Sequence, residues 1–280
     1  MQPVIHEKKK RFQNPVLNIL LIILLILTFY PLFFTFLTSF KDNNQFFTNF
    51  WGFANPVHLE NYRDAFAAIM PYLLNSVIIA VISIFFILLT SSLSAYTFAR
   101  LRFPGKEVVY MTILALMMIP GMLMLIPQYI LLRDLKLLDS FTGIMIGYVA
   151  GKQAFSIFIM RAFFASQPAE LFEAGRIDGC NEAQAYYKIA LPLIKPVLGT
   201  VAIMSLLDIW NDYLWPLIVT SDPSKFTISL GLLRFTGSFQ TTLYGPQFAG
   251  YIVTALPLVV LFFLLMNSFI EGMTAGAIKA

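Results

Sequence analysis

Long apolar runs alternate with short polar segments along this chain. Residues 12–40 carry no charge around an apolar core at Val16 to Leu37, and residues 65–99 repeat the pattern around Leu73 to Tyr96. Further runs cover Val108 to Leu132, with Pro120 and Pro127 inside, and Phe141 to Phe164, interrupted by Lys152. A fifth, Val197 to Thr220, is interrupted by Asp208 and Asp212, and the sixth has its core at Phe248 to Ile270 within the uncharged stretch 235–270. Each core is about 20 residues long, enough for a helix to cross ~30 Å of hydrocarbon. The pattern predicts an all-α integral membrane protein, one transmembrane domain over 1–280 with six transmembrane helices. An even number of crossings puts both termini on one side.

Composition agrees with lipid as the main solvent. The chain is 58% hydrophobic and only 12% charged, with a mean hydropathy of +0.75. A soluble domain carries about 25% charged residues. The basic run Lys8–Arg11 ahead of the first apolar run looks like the start of a signal peptide. That apolar run is too long for a signal peptide, and no small-x-small cleavage site follows it, so it reads as an uncleaved membrane helix. With the N-terminus inside, the inner segments hold 12 of the 19 Lys and Arg residues, the outer segments 6, and Lys152 lies within a span. The excess predicts both termini in the cytoplasm. The net charge of +4 is modest and gives no footprint for nucleic acid. The first outer loop carries Phe46, Phe47, Phe50, Trp51 and Phe53, which suits an interfacial or partner-contacting segment better than a flexible linker.

The loop at 167–192, between the fourth and fifth runs, is predicted to form two short helices joined by a turn on the cytoplasmic side. Ser166 suits an N-cap, Pro168 a first turn, and Glu170 and Glu173 complement the positive end of the helix. Gly179 suits a left-handed cap. Asn181 and Gln184 have the spacing of a capping box for a second helix, which Pro192 ends. On that helix Ala183, Tyr186, Tyr187 and Ala190 share one face at helical spacing. Such a hairpin either docks a protein partner or lies on lipid headgroups, and the residues alone leave both open.

The spacing of Glu173-Ala174-Gly175, then Gly179, Ile189 and Leu191-Pro192, resembles the EAA loop in membrane subunits of binding-protein-dependent ABC importers. The flanking Pro168, Glu170, Leu171, Ile177 and Asp178 resemble the carbohydrate-importer version. So do the run from Trp210 to Pro216 and the tail from Gly272 to Gly276. Six spans with both ends inside are similar to the maltose-permease type of subunit. Gly175 departs from the Ala usual at its place. The resemblance implies ATPase coupling through Glu173, Ala174, Gly175, Asp178, Gly179, Ile189, Leu191 and Pro192. It also implies a homologous second permease, two ATPase subunits that bind ATP and Mg, and an extracytoplasmic solute-binding protein. The expected place is a bacterial or archaeal cytoplasmic membrane, and the expected cargo a sugar or oligosaccharide.

Charges inside spans are expensive and usually face a bundle interior or a water-filled path. Asp208 is therefore expected on a substrate path or at a helix contact, with Asn75, Asn211 and Tyr213 as companions able to bond sugar hydroxyls. The same polar groups serve equally as glue between helices. His6 and His58 are the only histidines, so no HExxH site and no intramembrane serine–histidine pair is available. Gly147 to Lys152 falls one residue short of a Walker spacing and lacks the following Ser or Thr. The expectation is a chain without catalytic residues, metal ligands or cofactor, driven by another subunit's ATPase. An ion-coupled secondary transporter with Asp208 as coupling carboxylate is the alternative.

Overall fold

The structure, a computed structural model, describes residues 15–237 and 243–277, with side chains at 15–233 and 243–263. Lys8–Arg11, His6 and Lys279 lie outside the described residues, as do the side chains of the tail from Gly272 to Gly276. The order is α1 (Pro15–Thr38), α2 (Asn43–Thr48), α3 (Glu60–Arg100), α4 (Lys106–Leu116), α5 (Gly121–Asp134), α6 (Phe141–Ala165), α7 (Ala169–Ile177), α8 (Glu182–Gln184), a π-helical stretch Ala185–Ala190, α9 (Leu191–Leu193), α10 (Lys195–Asn211), α11 (Leu214–Val219), a 3-10 turn Pro223–Lys225, α12 (Ile228–Gly237) and α13 (Tyr244–Ala277). Among the described residues all regular structure is helical, as the apolar pattern predicts.

By length and apolarity, α1, α3, α6 and α13 each qualify as a membrane span. The count reaches six if two bent pairs each make one crossing, α4 with α5 at 100° and Glu182–Leu193 with α10 at 74°. The third run, expected from the sequence as one membrane helix with Pro120 and Pro127 inside it, is thus two helices. Pro120 stands at the break, where its ring and missing N–H prevent the helix from continuing. The fifth run is also interrupted. α10 stops at Asn211, and the Asp212 carboxylate accepts hydrogen bonds from Leu214 N (2.9 Å) and Trp215 N (3.3 Å), starting α11 afresh. A short acidic side chain competes for backbone donors in this way and favours a helix start over a helix interior. The 41-residue α3 is about 60 Å long, roughly twice the hydrocarbon thickness.

The chain forms two compact units. Of the described residues, the first comprises 15–67 and 243–253. In it α1 exposes Ile19, Leu20, Ile23, Leu24 and Leu27, a surface suited to lipid. The aromatic loop is packed rather than loose: Phe46 stacks on Tyr244 with ring centroids 4.0 Å apart. Lys41 is fully buried, and its Nζ donates to the carbonyls of Asn49 and Phe50, each at 2.8 Å. Burial pushes its pKa down.

Of the described residues, the second unit comprises 68–237 and 254–277. Its core runs along α3, α6 and α10 through Ile79, Ile87, Ile144, Met160, Phe164 and Val201. At one end Asn75 Nδ2 donates to the carbonyls of Ser224 (2.8 Å) and Phe226 (3.0 Å), and Ile228 N donates to Ser76 Oγ (2.7 Å). At that same end Asp139 accepts from the backbone N–H groups of Ser221 and Asp222. These bonds hold its carboxyl below the usual carboxylate value. At the opposite end Arg161 pairs with Glu107 (3.0 Å), and Arg100 donates to the Gln167 carbonyl (2.6 Å). The bent α4–α5 pair begins at this second end and leads back to the first. Arg100, Arg102, Lys106, Arg161, Arg176, Lys188 and Lys195 gather at the hairpin end, while Arg133, Lys136 and Lys225 lie at the other.

Candidate functional site

Residues 166–194 form a helical hairpin standing on the ends of α3 and α6. The sequence suggests Ser166 as the N-cap, but Ser166 closes α6 instead, its Oγ donating to the Phe163 carbonyl. Pro168 holds the cap position of α7. Gly179 takes φ +81°, the left-handed cap expected there. Cys180 N reaches the Gly175 carbonyl (2.9 Å) and Gly179 N the Arg176 carbonyl (3.1 Å), the paired bonds of a Schellman closure. Asn181 and Gln184 exchange the two bonds of a capping box, at 3.0 and 2.9 Å.

The second arm departs from the expected α-helix. Residues Ala185–Ala190 are π-helical, directly ahead of Pro192. Pro192 lacks the N–H that an α-helix would direct to the Lys188 carbonyl, and the wider turn stands immediately upstream. The four residues predicted to share a face separate as a result. Ala190 is fully buried, Ala183 and Tyr187 are exposed, and Tyr186 turns inward to place its hydroxyl 2.7 Å from Ser92 Oγ.

The hairpin is pinned from inside by α3. Tyr96 donates to Glu182 (3.1 Å), and Arg176 pairs with the other oxygen of that carboxylate (3.0 Å). The Arg100 guanidinium lies 4.2 Å from the centre of the Phe172 ring. Sequence reasoning missed Ser92, Tyr96, Arg100 and Glu182, because nothing in their spacing links residues so far apart in the chain.

Of the eight loop residues singled out from the sequence, Glu173, Ala174, Asp178, Gly179 and Pro192 lie on the exposed side. Gly175, Ile189 and Leu191 face inward. Ile177, near the tip, is 86% exposed. Gly175 now has a packing role, since a Cβ there would stand 2.6 Å from Ile189 Cδ1. That methyl is the end of a flexible side chain and can swing away. Gly175→Ala is therefore expected to keep transport and protein level near wild type, the helix gaining up to ~1 kcal/mol in propensity against the repacking. A variant that inserts but loses more than half its uptake would show that the Gly175–Ile189 contact is rigid.

A second polar site lies within the spans. Lys152 on α6 forms an ion pair with Asp208 on α10. Beside them Tyr148, Leu207, Asn211 and Asp212 line an open cavity of about 460 Å³. Asn211 Nδ2 donates to the Leu207 carbonyl (2.7 Å), and Tyr213 is 48% exposed at the break after α10. Asn75 is not brought to this cavity; its amide group holds the 224–226 segment. Among the described residues no group of three or more His, Cys, Asp or Glu side chains could hold a metal.

Residues 87–274 match the family described as binding-protein-dependent transport system inner membrane component. The chain belongs to this family. The resemblance drawn from the hairpin's spacing is borne out. Similar proteins include the arabinooligosaccharides transport system permease protein of Halalkalibacterium halodurans, 31% identical over 282 residues, covering 96% of this chain and 99% of the relative. The multiple sugar-binding transport system permease protein of Streptococcus mutans is 30% identical over 259 residues, covering 91% and 93%. Among solved structures, a bacterial ABC transporter involved in import of the acidic polysaccharide alginate has a chain that superposes with a TM-score of 0.79 at 24% identity, covering 91% of this chain and 95% of that one. The last comparison supports the fold.

Proposed function

We propose that this permease carries a sugar or oligosaccharide inward across a bacterial or archaeal cytoplasmic membrane, as one half of an ATP-driven importer. A homologous second permease completes the path, two ATPase subunits bind ATP and Mg on the cytoplasmic side, and an extracytoplasmic binding protein delivers the sugar. The cargo class rests on the sugar systems named among its relatives. The hairpin end carries the denser cluster of Lys and Arg, which supports a cytoplasmic hairpin, and with six crossings both termini would lie inside. The observation that carries the coupling role is the two-sided hairpin. One side is fixed to α3 by Tyr96, Ser92 and Arg100, and the other exposes Ile177, Ala174 and Leu171, which none of the described residues covers. A rigid lever with a free apolar tip suits an ATPase cleft. ATPase closure then pushes α3 and α6 through their shared contacts and switches the side to which the path opens. No observation favours an ion-coupled carrier.

The test is Ile177→Glu in the purified, reconstituted complex. An exposed residue changes folding by under ~0.5 kcal/mol, so a large effect reports a partner contact. The ATPase is expected to dissociate or to lose stimulation by loaded binding protein, and uptake to fall at least ~10-fold, the equivalent of ~1.4 kcal/mol of coupling. Wild-type uptake with Ile177→Glu, or uptake by a complex that contains no nucleotide-binding subunit, would overturn the assignment.

A further inference from the structure

The Lys152–Asp208 pair is out of place on a lipid-facing surface. Lys152 sits near the middle of the 25-residue α6 and is 28% exposed at its side chain, and Asp208 is 61% exposed. Charges that open in hydrocarbon are costly, so this face of α6 and α10 meets water or another polar surface. The neighbouring groups point the same way. Tyr148, Asn211 and Asp212 line the same open cavity, whereas α1 carries no charged residue along its exposed length. The charges around the cavity are one cation, Lys152, and two carboxylates, Asp208 and Asp212. Lys152 is neutralised by its partner, and Asp212 leaves a surplus negative charge.

We propose that the Lys152–Asp208 pair sets the charge selectivity of the sugar path, admitting uncharged oligosaccharides and turning away sugars that carry a carboxylate. This rests on the permease reading above. An uncharged sugar can donate hydroxyls to the free oxygen of Asp208 and accept from the remaining Lys152 N–H groups. A uronate sugar finds the one cation among the described lining residues already paired and two carboxylates beside it. Asp208→Asn reverses the balance by releasing Lys152 as an unpaired cation.

The test uses the complete complex in liposomes, with competing sugar trapped on the cytoplasmic side so that the binding protein does not select it. Uptake of a neutral oligosaccharide is measured against an internal neutral trisaccharide or an internal uronate trisaccharide. In the wild type the neutral sugar is expected to slow uptake and the uronate to have little effect. In Asp208→Asn the uronate is expected to inhibit at a concentration at least ~10-fold lower, a modest fraction of the Coulomb energy of an unscreened pair. The exchange Lys152→Asp with Asp208→Lys is expected to restore the wild-type preference. Because Asp208→Asn can fail to assemble, Asn211→Cys in a Cys180→Ser background supplies a second measurement. A cationic water-soluble thiol reagent is expected to react there at least ~10-fold faster than an anionic one, with protection by neutral oligosaccharide. Unchanged inhibition in an assembled Asp208→Asn complex would make the pair a helix or subunit contact and sink the proposal. Equal reagent rates or no reaction at Asn211→Cys would do the same. A wild-type complex whose uptake needs neither ATP nor binding protein would instead overturn the permease reading, while the reagent rates would still report the charge of the cavity.

Discussion

A single methyl group added at Gly147 is expected to destabilise the protein, although alanine is the better helix former by up to ~1 kcal/mol. Gly147 lies inside α6, directly under the indole of Trp215, and a Cβ there would fall well within the ring's van der Waals surface. Trp215 is 5% exposed, and its Nε1 donates to the Ile144 carbonyl at 3.1 Å. The indole has no flexible end to move aside. It must rotate out of its pocket or push α11 away from α6. Overpacking of this kind costs ~1–3 kcal/mol, and losing the buried Nε1 bond adds ~1–3 kcal/mol. Gly147→Ala is therefore expected to lower the thermal midpoint of the purified complex by several degrees, and Gly147→Val to reduce its yield sharply. Trp215→Leu made together with Gly147→Ala is expected to recover part of the loss, since contacting pairs are non-additive. A Gly147→Ala complex that melts with the wild type would remove the packing argument.

Gly147 also shows where sequence reading stopped. In sequence it belongs to a failed phosphate-loop spacing with Lys152, and that pattern suggests nothing further. Its partner is 68 residues away and set by the tertiary fold. The helical class was legible because apolar runs of membrane length leave few other structures. The caps of the hairpin were legible as well: Gly179, Asn181 and Gln184 act within a few residues of themselves, and local chemistry decides them. Where the third and fifth runs break into separate helices was not. Apolarity sets whether a segment can sit in lipid, whereas Pro120 and the Asp212 cap set whether it can remain one helix. The pairing of Lys152 with Asp208 was out of reach for a related reason. Each charge was identifiable as anomalous, but only the packing of α6 on α10 makes them answer one another. Asn75 shows the reverse case, a residue whose type suits sugar binding and whose position makes it a tie for the 224–226 segment.

Gly179→Val is expected to abolish transport while leaving the protein inserted at near-normal level. Gly179 holds φ +81°, and no neighbouring atom lies within 4 Å of where its Cβ would be. The substitution therefore meets no steric wall, and its whole effect is carried by the backbone. A β-branched residue held in that left-handed conformation costs ~1–3 kcal/mol. The hairpin escapes this cost by opening the turn, which breaks the bonds of Cys180 N to Gly175 and Gly179 N to Arg176. The two arms then lose their fixed angle, and with it the set position of Ile177 at the end of α7. The spans do not depend on this turn, so insertion is expected to persist. Asparagine tolerates the left-handed region far better than valine. The expected order of activity is thus Gly179→Asn close to wild type, Gly179→Ala reduced, and Gly179→Val without measurable uptake. ATPase stimulation by loaded binding protein is expected to follow the same order. Membrane level, uptake and stimulated ATPase activity measured in parallel decide the matter. If Gly179→Val transports at the wild-type rate with its ATPase attached, the hairpin's angle carries no force. Coupling must then run through another contact.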